Sequence, residues 1–203
     1  MLHTESARQA TAFKLTEFNI SAPHSMQQAL GDSSDVLCEI FRNDVNLAVW
    51  QRPTNPELLR YTSQLPEDLL IKRMLPLDEI PSTLQRLLPD GEGRDALAAD
   101  IHGAAQMLGC VMDTDTIGVR LAVLQQAQCP KWHTDAVMLR LLITYQGEGT
   151  QYLQGGLGSH ACQVLPQQIA LLKGSAWSEK SMAIVHRSPP GLARRVVLTL
   201  DPL

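Results

Sequence analysis

From residue 116 onward the sequence is a series of short apolar or β-branched runs separated by glycine, proline and polar residues. This pattern is typical of antiparallel strands joined by turns. The runs are 116–126, 137–146, 150–153, 162–174, 182–187 and 194–200. Strands this short and this numerous are expected to close on themselves as a barrel or a two-sheet jelly roll, with any helices packed on one outer face.

The chain before residue 115 has the apolar periodicity of helices, with one interruption. The pattern predicts helices over 33–41, 55–65, 81–88 and 95–108, and a strand over 45–52. Asn55 is a capping residue and Pro56 suits the first helical position, so the second helix should begin there. Gly109 is expected to end the last helix. The fold class predicted by both halves together is α+β.

A length of 203 residues is enough for one well-buried core and short for two domains. We therefore expect a single domain over 26–203, in which 26–114 are mainly helical support and 115–203 form the jelly-roll core. Residues 1–25 lack the basic start and apolar centre of a secretory signal. They are expected to be a flexible leader.

Charge and composition limit the partners of this chain. The 17 basic and 21 acidic residues give a net charge of −4, without a block of like charge. Nucleic-acid binding needs a basic face, so we expect a small-molecule or protein substrate. No stretch approaches the roughly 20 apolar residues of a membrane helix, so we expect no membrane association and a cytoplasmic location. The 4 cysteines contain no CxxC pair, which argues against a zinc ribbon.

His133 and Asp135 stand two positions apart just before a predicted strand. In an extended backbone both side chains point to the same side, so one metal ion could contact both. His186, at the end of a later predicted strand, is the candidate third ligand. Two histidines and one carboxylate on one face of an octahedral metal form the facial triad of non-haem Fe(II) oxygenases. The order HxD, His, then an arginine opening the last strand is more specific than HxD alone.

This order of residues resembles that of the Fe(II)/2-oxoglutarate-dependent oxygenases. The segments "CPKWHTDAVMLRLLITYQGEGTQYL" and "AIVHRSPPGLARRVVLTLD" resemble more closely a bacterial family catalogued as a domain of unknown function. The resemblance implies a double-stranded β-helix, a jelly-roll or cupin-like barrel, in the C-terminal half. It also implies that His133, Asp135 and His186 hold Fe(II), with zinc as the alternative metal, and that 2-oxoglutarate is the co-substrate. The implied activity is that of a hydroxylase-type dioxygenase, with no catalytic residue beyond the metal ligands.

The distal carboxylate of 2-oxoglutarate needs a cation inside the barrel, and a guanidinium meets it with two parallel hydrogen bonds. The resemblance implies Arg195 for this role, because its strand face also carries Val197 and Thr199. Arg194, one residue earlier, is the less suitable choice.

Two further residues could contact the co-substrate. Arg140 lies amid apolar residues, and it could bind the distal carboxylate, bind an acidic substrate or form a structural ion pair. Many oxygenases of this superfamily use a tyrosine or asparagine near the third strand to hold 2-oxoglutarate. Tyr145 is the counterpart here.

Two other kinds of function remain open at this point. One is a zinc- or iron-binding homeostasis protein with the same fold and no turnover, because the resembling family is associated with zinc-homeostasis gene neighbourhoods. A zinc version could recruit Cys129, or Cys162 beside His160, since thiolates and imidazoles are common zinc ligands. The other is a jelly roll that presents a protein-binding surface, with the triad incidental.

Overall fold

Ten strands form two sheets in the computed structural model, which describes residues 26–155, 158–178 and 182–203. In chain order they are β1 (Gln27–Gly31), β2 (Val45–Trp50), β3 (Leu70–Pro76), β4 (Thr116–Leu124), β5 (Leu139–Gln146), β6 (Gln151–Leu153), β7 (Ala161–Gln163), β8 (Ile169–Lys173), β9 (His186–Arg187) and β10 (Arg195–Pro202). The large sheet has the order β1-β2-β8-β5-β10-β4-β3, and the small sheet has the order β7-β6-β9. Only β1 and β2 pair in parallel.

Helices cover one face of the large sheet. They are α1 (Pro56–Ser63), α2 (Ile80–Leu87) and α3 (Arg94–Met112), with 3-10 helices at Ser34–Phe41 and Leu77–Glu79. Asn55 caps α1 as expected, because its side chain accepts a hydrogen bond from the Glu57 backbone N–H at 2.9 Å. Apolar residues of α1 to α3 pack against alternate residues of β4, β5 and β10 in the larger hydrophobic core.

The small sheet covers the opposite face of the large sheet. Residues such as Leu142 of β5 and Val197 of β10 pack there against Tyr152, Val164 and Ile184. Strand alternation explains the two cores, because neighbouring residues of β5 and β10 point to opposite faces. The expected α+β jelly roll, with helices on one outer face, is confirmed.

The structure differs from the sequence predictions in the front half of the chain. Residues 26–114, expected to be mainly helical support, contain the predicted strand β2 and also supply β1 and β3 of the large sheet, which the sequence does not predict. Helix α3 continues through Gly109 and ends at Met112, followed by Asp113 in the left-handed conformation (φ 50°). Gly109 is needed for a different reason: a Cβ there would lie 2.7 Å from the Thr114 carbonyl oxygen. The prediction that Gly109 ends the helix is therefore wrong.

Two further expectations concern residues 1–25 and membrane association. The flexible leader predicted for 1–25 lies outside the described residues. Within the described part of the chain, no helix is both long and apolar enough to cross a membrane.

Candidate metal centre

His133 and His186 lie directly opposite each other on adjacent extended segments. The backbone N–H of His133 donates to the His186 carbonyl at 3.1 Å, and the His186 N–H donates to the His133 carbonyl at 2.9 Å. Residues paired in this way carry their side chains on the same face of the ladder. The imidazole centroids are accordingly 4.5 Å apart. His186 also pairs with Tyr152 of β6, so the small sheet fixes the position of both histidines.

Both imidazoles are oriented by backbone carbonyls. The Nδ1–H of His133 donates to the Lys131 carbonyl at 2.9 Å, and that of His186 donates to the Ile184 carbonyl at 3.3 Å. A carbonyl oxygen only accepts, so the proton must be on Nδ1. Each Nε2 is thereby directed away from the backbone and is available to a cation, which is the usual arrangement of histidines that bind metals.

Asp135 brings a carboxylate to the two imidazoles. Its Oδ1 lies 3.8 Å from Nε2 of His133 and its Oδ2 lies 3.4 Å from Nε2 of His186. Taken together, one ligand atom from each of the three residues lies within 4.8 Å of the others. The structure therefore brings together the three predicted ligands, although they are separated by up to 53 positions in the chain.

The segment that carries Asp135 is held by the turn after β8. The Ser175 N–H donates to the Asp135 carbonyl at 2.8 Å, and the Gly174 N–H donates to the Met138 carbonyl at 3.0 Å. A Cβ on Gly174 would lie 2.0 Å from the Val137 carbonyl oxygen. Only glycine permits this close approach of the two segments.

Arg140 is fully engaged by two carboxylates. Its Nη1 donates to Oδ2 of Asp135 at 2.8 Å, and its Nε and Nη2 donate to the two oxygens of Asp201 at 2.7 and 2.8 Å. Burial acts to raise the pKa of Asp135, but the interactions with His186 and Arg140 outweigh burial and lower that pKa below its ordinary value. Asp135 is thus a carboxylate at neutral pH. Of the roles considered for Arg140, the structure presents the structural ion pair.

A cavity of about 740 Å³ opens beside the three residues, between the two sheets. Its walls include the whole His-Asp-His cluster, the charged residues of β5 and β10, and part of β3 and β4. The lining residues that bear on the chemistry are His133, Asp135, His186, Arg140, Asp201, Arg195, Thr150, Thr199, Leu124, Leu142, Val197, Cys129, Gln128, Lys72, Arg120, Met74 and Leu203. The cavity is large enough for a small-molecule ligand.

Arg195 is a buried cation in the wall of this cavity, 3% exposed. Its Nε donates to the Glu148 carbonyl at 2.6 Å, and its Nη2 donates to the hydroxyls of Thr144 and Thr150, each at 3.3 Å. No carboxylate of the described residues forms an ion pair with it. Burial lowers the pKa of Arg195 to about 10, so it stays protonated at neutral pH. Arg195 is therefore a preoriented cation with no ion-pair partner among the described residues, although the Glu148 charge partly offsets the effect of burial on its pKa.

Arg194 and Tyr145 lie on the other side of the large sheet. Arg194 donates to the Leu65 carbonyl at 2.8 Å and, unlike Arg195, does not line the cavity. Tyr145 is fully buried in the larger core, where its hydroxyl donates to Asp100 at 2.7 Å. The expectation that Tyr145 contacts the co-substrate is corrected by this placement. Strand alternation explains this placement. The even-numbered residues Arg140 and Leu142 of β5 face the cavity, so the odd-numbered residues of this strand, including Tyr145, face the other side of the sheet.

The cysteines considered for zinc do not join the cluster in the described part of the chain. Cys129 is exposed and contributes to the cavity wall, but its thiol is not among the grouped ligand atoms. Cys162 belongs to β7, where its thiol lies 3.9 Å from the Gln154 side-chain oxygen. His160 is exposed and is likewise outside the cluster.

Several residues that shape the site carry no motif. Asp201 follows Arg195 at an even spacing on β10, so alternation places it on the cavity face, but its pairing with Arg140 requires knowing that β5 and β10 are neighbours. Thr144 and Thr150 act only through hydroxyls that orient Arg195. Gly174 acts by lacking a side chain, which a single sequence does not reveal.

The fold and the cluster together define a class of protein. The chain has the double-stranded β-helix fold of the 2-oxoglutarate oxygenases, with a His-Asp-His cluster that could hold a metal ion. Residues 31–201 match the family described as "Protein of unknown function (DUF1826)", and the chain belongs to that family. The predicted resemblance is thereby confirmed.

Two solved plant structures illustrate the shared fold. The dioxygenase for auxin oxidation of rice has 13% identity and a TM-score of 0.54, with 88% of this chain and 83% of that chain covered. The corresponding Arabidopsis thaliana enzyme, solved in a binary complex with 2-oxoglutarate, has 13% identity and a TM-score of 0.52, with 88% and 92% covered. At this identity the likeness concerns the fold alone. Among curated proteins none matches the sequence.

Proposed function

We propose that this protein is a non-haem Fe(II)/2-oxoglutarate-dependent oxygenase that hydroxylates a substrate held in the cavity. The observation that carries the proposal is the presence of two complementary elements in one cavity. One is the His-Asp-His cluster, and the other is Arg195, a buried cation with no carboxylate partner among the described residues. The Arabidopsis relative of the same fold binds 2-oxoglutarate, which supports the same ligand here.

The donor set fits Fe(II). His133 and His186 offer their Nε2 atoms because their Nδ1 atoms are hydrogen-bonded to carbonyls, and Asp135 offers an ionised carboxylate. Two imidazoles and one carboxylate leave open coordination positions for a co-substrate and O₂. When bound, Fe(II) with 2-oxoglutarate supplies the oxidising chemistry of hydroxylation. The residues named here would hold the metal, and the buried Leu124, Leu142 and Val197 give the same cavity an apolar wall.

Arg195 is the residue that we assign to the distal carboxylate of 2-oxoglutarate. The guanidinium is held in place through Nε and Nη2, while the described part of the chain offers its Nη1 no acceptor. A carboxylate would satisfy that nitrogen and would neutralise a buried charge. Arg140 cannot serve equally well, because its N–H groups are already taken by Asp135 and Asp201. Arg140 instead keeps Asp135 oriented towards the imidazoles.

Metal and co-substrate binding test the proposal directly. Elemental analysis of protein purified without chelator should find about one metal ion per chain. Anaerobic addition of Fe(II) and 2-oxoglutarate should then give a weak visible charge-transfer band. Substitution of His133, Asp135 or His186 by Ala should abolish both, whereas His160→Ala, outside the cluster, should change neither. A metal-loaded protein without this band would contradict the proposal.

Substitution of Arg195 and substitution of Arg140 should affect different properties if Arg195 binds the distal carboxylate of 2-oxoglutarate. Arg195→Met should weaken 2-oxoglutarate at least tenfold, the value of one lost charge-assisted hydrogen bond, and should leave the metal bound. Arg140→Met should lower the free energy of unfolding, because two partly buried carboxylates lose their cation, and should weaken 2-oxoglutarate less than Arg195→Met does. Calorimetric titration and chemical denaturation measure the two effects. The reverse pattern would assign the co-substrate to Arg140.

A metal-holding protein without turnover is the second candidate, and it rests on Cys129. This cysteine belongs to the wall of the same cavity as the cluster. A zinc site that recruits its thiolate should lose zinc affinity on Cys129→Ser, whereas an Fe(II) site of two histidines and one carboxylate should not change. Zinc affinity that falls with this substitution would favour the second candidate.

A further inference from the structure

The cavity wall contains three cations that neither the metal nor the co-substrate requires: Lys72, Arg73 and Arg120. Lys72 of β3 and Arg120 of β4 are paired residues in adjacent strands, and both contribute to the cavity wall. Arg120 donates through Nη2 to the Gln128 side-chain oxygen at 2.8 Å. Within the described residues no carboxylate forms an ion pair with either side chain. The net charge of the protein is −4, so a general excess of positive charge does not explain two adjacent cations without an ion-pair partner in a cavity wall.

The backbone positions of Lys72 and Arg120 are separate from that of Arg195. On β10, Arg195 pairs with Leu124 of β4 and Thr199 pairs with Arg120. Four residues along a strand correspond to about 13 Å, which is longer than a short dicarboxylate such as 2-oxoglutarate. Arg120 and Lys72 are therefore candidates for a second anion-binding position, four strand residues away from that of Arg195.

Apolar residues lie beside this second position. Met74, two residues after Lys72 on the same strand face, is 71% exposed, and Leu203 is 56% exposed. Gly118, on the cavity face between them, has no side chain, and a Cβ there would have only ordinary contacts, the closest at 3.5 Å. The wall between the cation pair and the metal cluster thus offers apolar surface and open space.

We propose that the substrate is an amphipathic anion, whose carboxylate, sulfonate or phosphate group is bound by Lys72 and Arg120 and whose apolar body extends over β4 and β10 towards the metal cluster. The inference rests on the proposed function, because it takes the cluster as the reaction centre. The distance from β3 to β10 is two strand spacings, about 10 Å. The apolar body must span that distance, and the neutral Gln128 orients Arg120 without competing for the anion.

Two fluorescent dyes with the same rings and different charge test this inference. Anilinonaphthalene sulfonate is an anion, and N-phenylnaphthylamine is its neutral counterpart. The sulfonate should bind more tightly than the neutral dye to the purified full chain with its metal, with and without 2-oxoglutarate. Lys72→Met and Arg120→Met should each weaken the sulfonate about tenfold, the loss of one charged hydrogen bond, and leave the neutral dye unchanged.

Controls separate this site from general dye binding. Arg60→Met removes an exposed cation of α1 far from the cavity wall and should change neither dye, while Arg120→Lys should retain most of the sulfonate binding. Equal affinity for the two dyes, or loss of sulfonate binding only in Arg195→Met, would overturn the inference. The same proteins are titrated with 2-oxoglutarate. If it fails to bind while the sulfonate still depends on Lys72 and Arg120, the proposed function is wrong and the anion site stands.

Discussion

Lys173 is a buried cation on the side of β8 away from the cavity, and it makes stability depend on pH. Its ammonium donates to the Arg42 carbonyl at 2.7 Å and lies 5.0 Å from the centroid of the Trp177 ring. Burial lowers the pKa of Lys173 from 10.5 to about 8. The unfolded chain therefore binds this proton more tightly than the folded protein between these two values. The free energy of unfolding should rise across that interval, by about 3 kcal/mol.

Lys173→Met tests this dependence because it keeps the length of the side chain and removes the charge. The variant should lack the rise in the free energy of unfolding between pH 8 and 10.5, and it should be more stable than the wild type below pH 8. Lys131→Met, at an exposed position, serves as the control and should follow the wild-type curve. Urea denaturation at several pH values provides the measurement. A variant with the same pH slope as the wild type would show that Lys173 titrates normally.

At the scale of single residues, the sequence predicts which side chains share one face of a strand. It does not predict contacts that depend on the order of the strands in the sheet. His133 and Asp135 can be placed on one side because they are two apart, and the structure adds His186 by pairing it with His133. Tyr145 is the exception: it stands five positions from Arg140 on the same strand, so the two residues cannot both face the cavity, although both are candidates for contact with the co-substrate. The ion pair of Arg140 with Asp201 joins residues 61 apart, so local spacing contains no information about it.

The turn after β8 is the element on which the position of Asp135 depends. A Cβ on Gly174 would lie 2.0 Å from the Val137 carbonyl oxygen and 2.8 Å from that of Asp135. Gly174→Ala must therefore push the segment that carries Asp135 away from the imidazoles. We expect metal affinity to fall at least tenfold and the free energy of unfolding to fall by about 2 kcal/mol. Metal titration with a competing chelator and thermal unfolding measure the two effects.

Gly103 provides the matched control for Gly174. It lies inside α3, and a Cβ there would have no atom within 4 Å. Gly103→Ala should leave metal affinity unchanged and should raise the free energy of unfolding by up to about 1 kcal/mol, because alanine favours a helix interior. Equal metal affinity in Gly174→Ala and the wild type would contradict the role given to the turn.

A strand at the edge of the sheet, such as β3, has a weak hydrophobic pattern, and the sequence therefore does not predict it. In β3 only Ile71 and Leu75 are buried, four residues apart, which is a helical spacing and not the alternation of a strand. This pattern arises because β3 is an edge strand with β4 as its partner in the large sheet. Strands β4, β5 and β10 are central and mostly buried, and their apolar runs are recognisable.

At the scale of the whole molecule, the large sheet separates a structural side from a functional side. On the helix side, Asp100 of α3 binds both Arg52 and the Tyr145 hydroxyl, and the larger core surrounds this network. On the other side lie the cavity, the His-Asp-His cluster and Arg195. Because strand alternation directs neighbouring residues to opposite sides, adjacent substitutions in β5 should affect different properties of the protein.

Thr144 and Tyr145 allow this separation to be tested with two conservative changes. Tyr145→Phe removes the hydroxyl that donates to Asp100 at 2.7 Å. It should lower the free energy of unfolding by about 1 to 3 kcal/mol, the effect of one buried hydrogen bond, with 2-oxoglutarate affinity within about twofold of the wild type.

Thr144→Val removes one of the two hydroxyls that orient Nη2 of Arg195. It should weaken 2-oxoglutarate several-fold and change stability by less than about 1 kcal/mol. Calorimetric titration measures the 2-oxoglutarate affinity of both variants, and urea denaturation measures their stability. If affinity and stability fell together in each variant, the two faces of the sheet would be energetically coupled and the separation would be refuted.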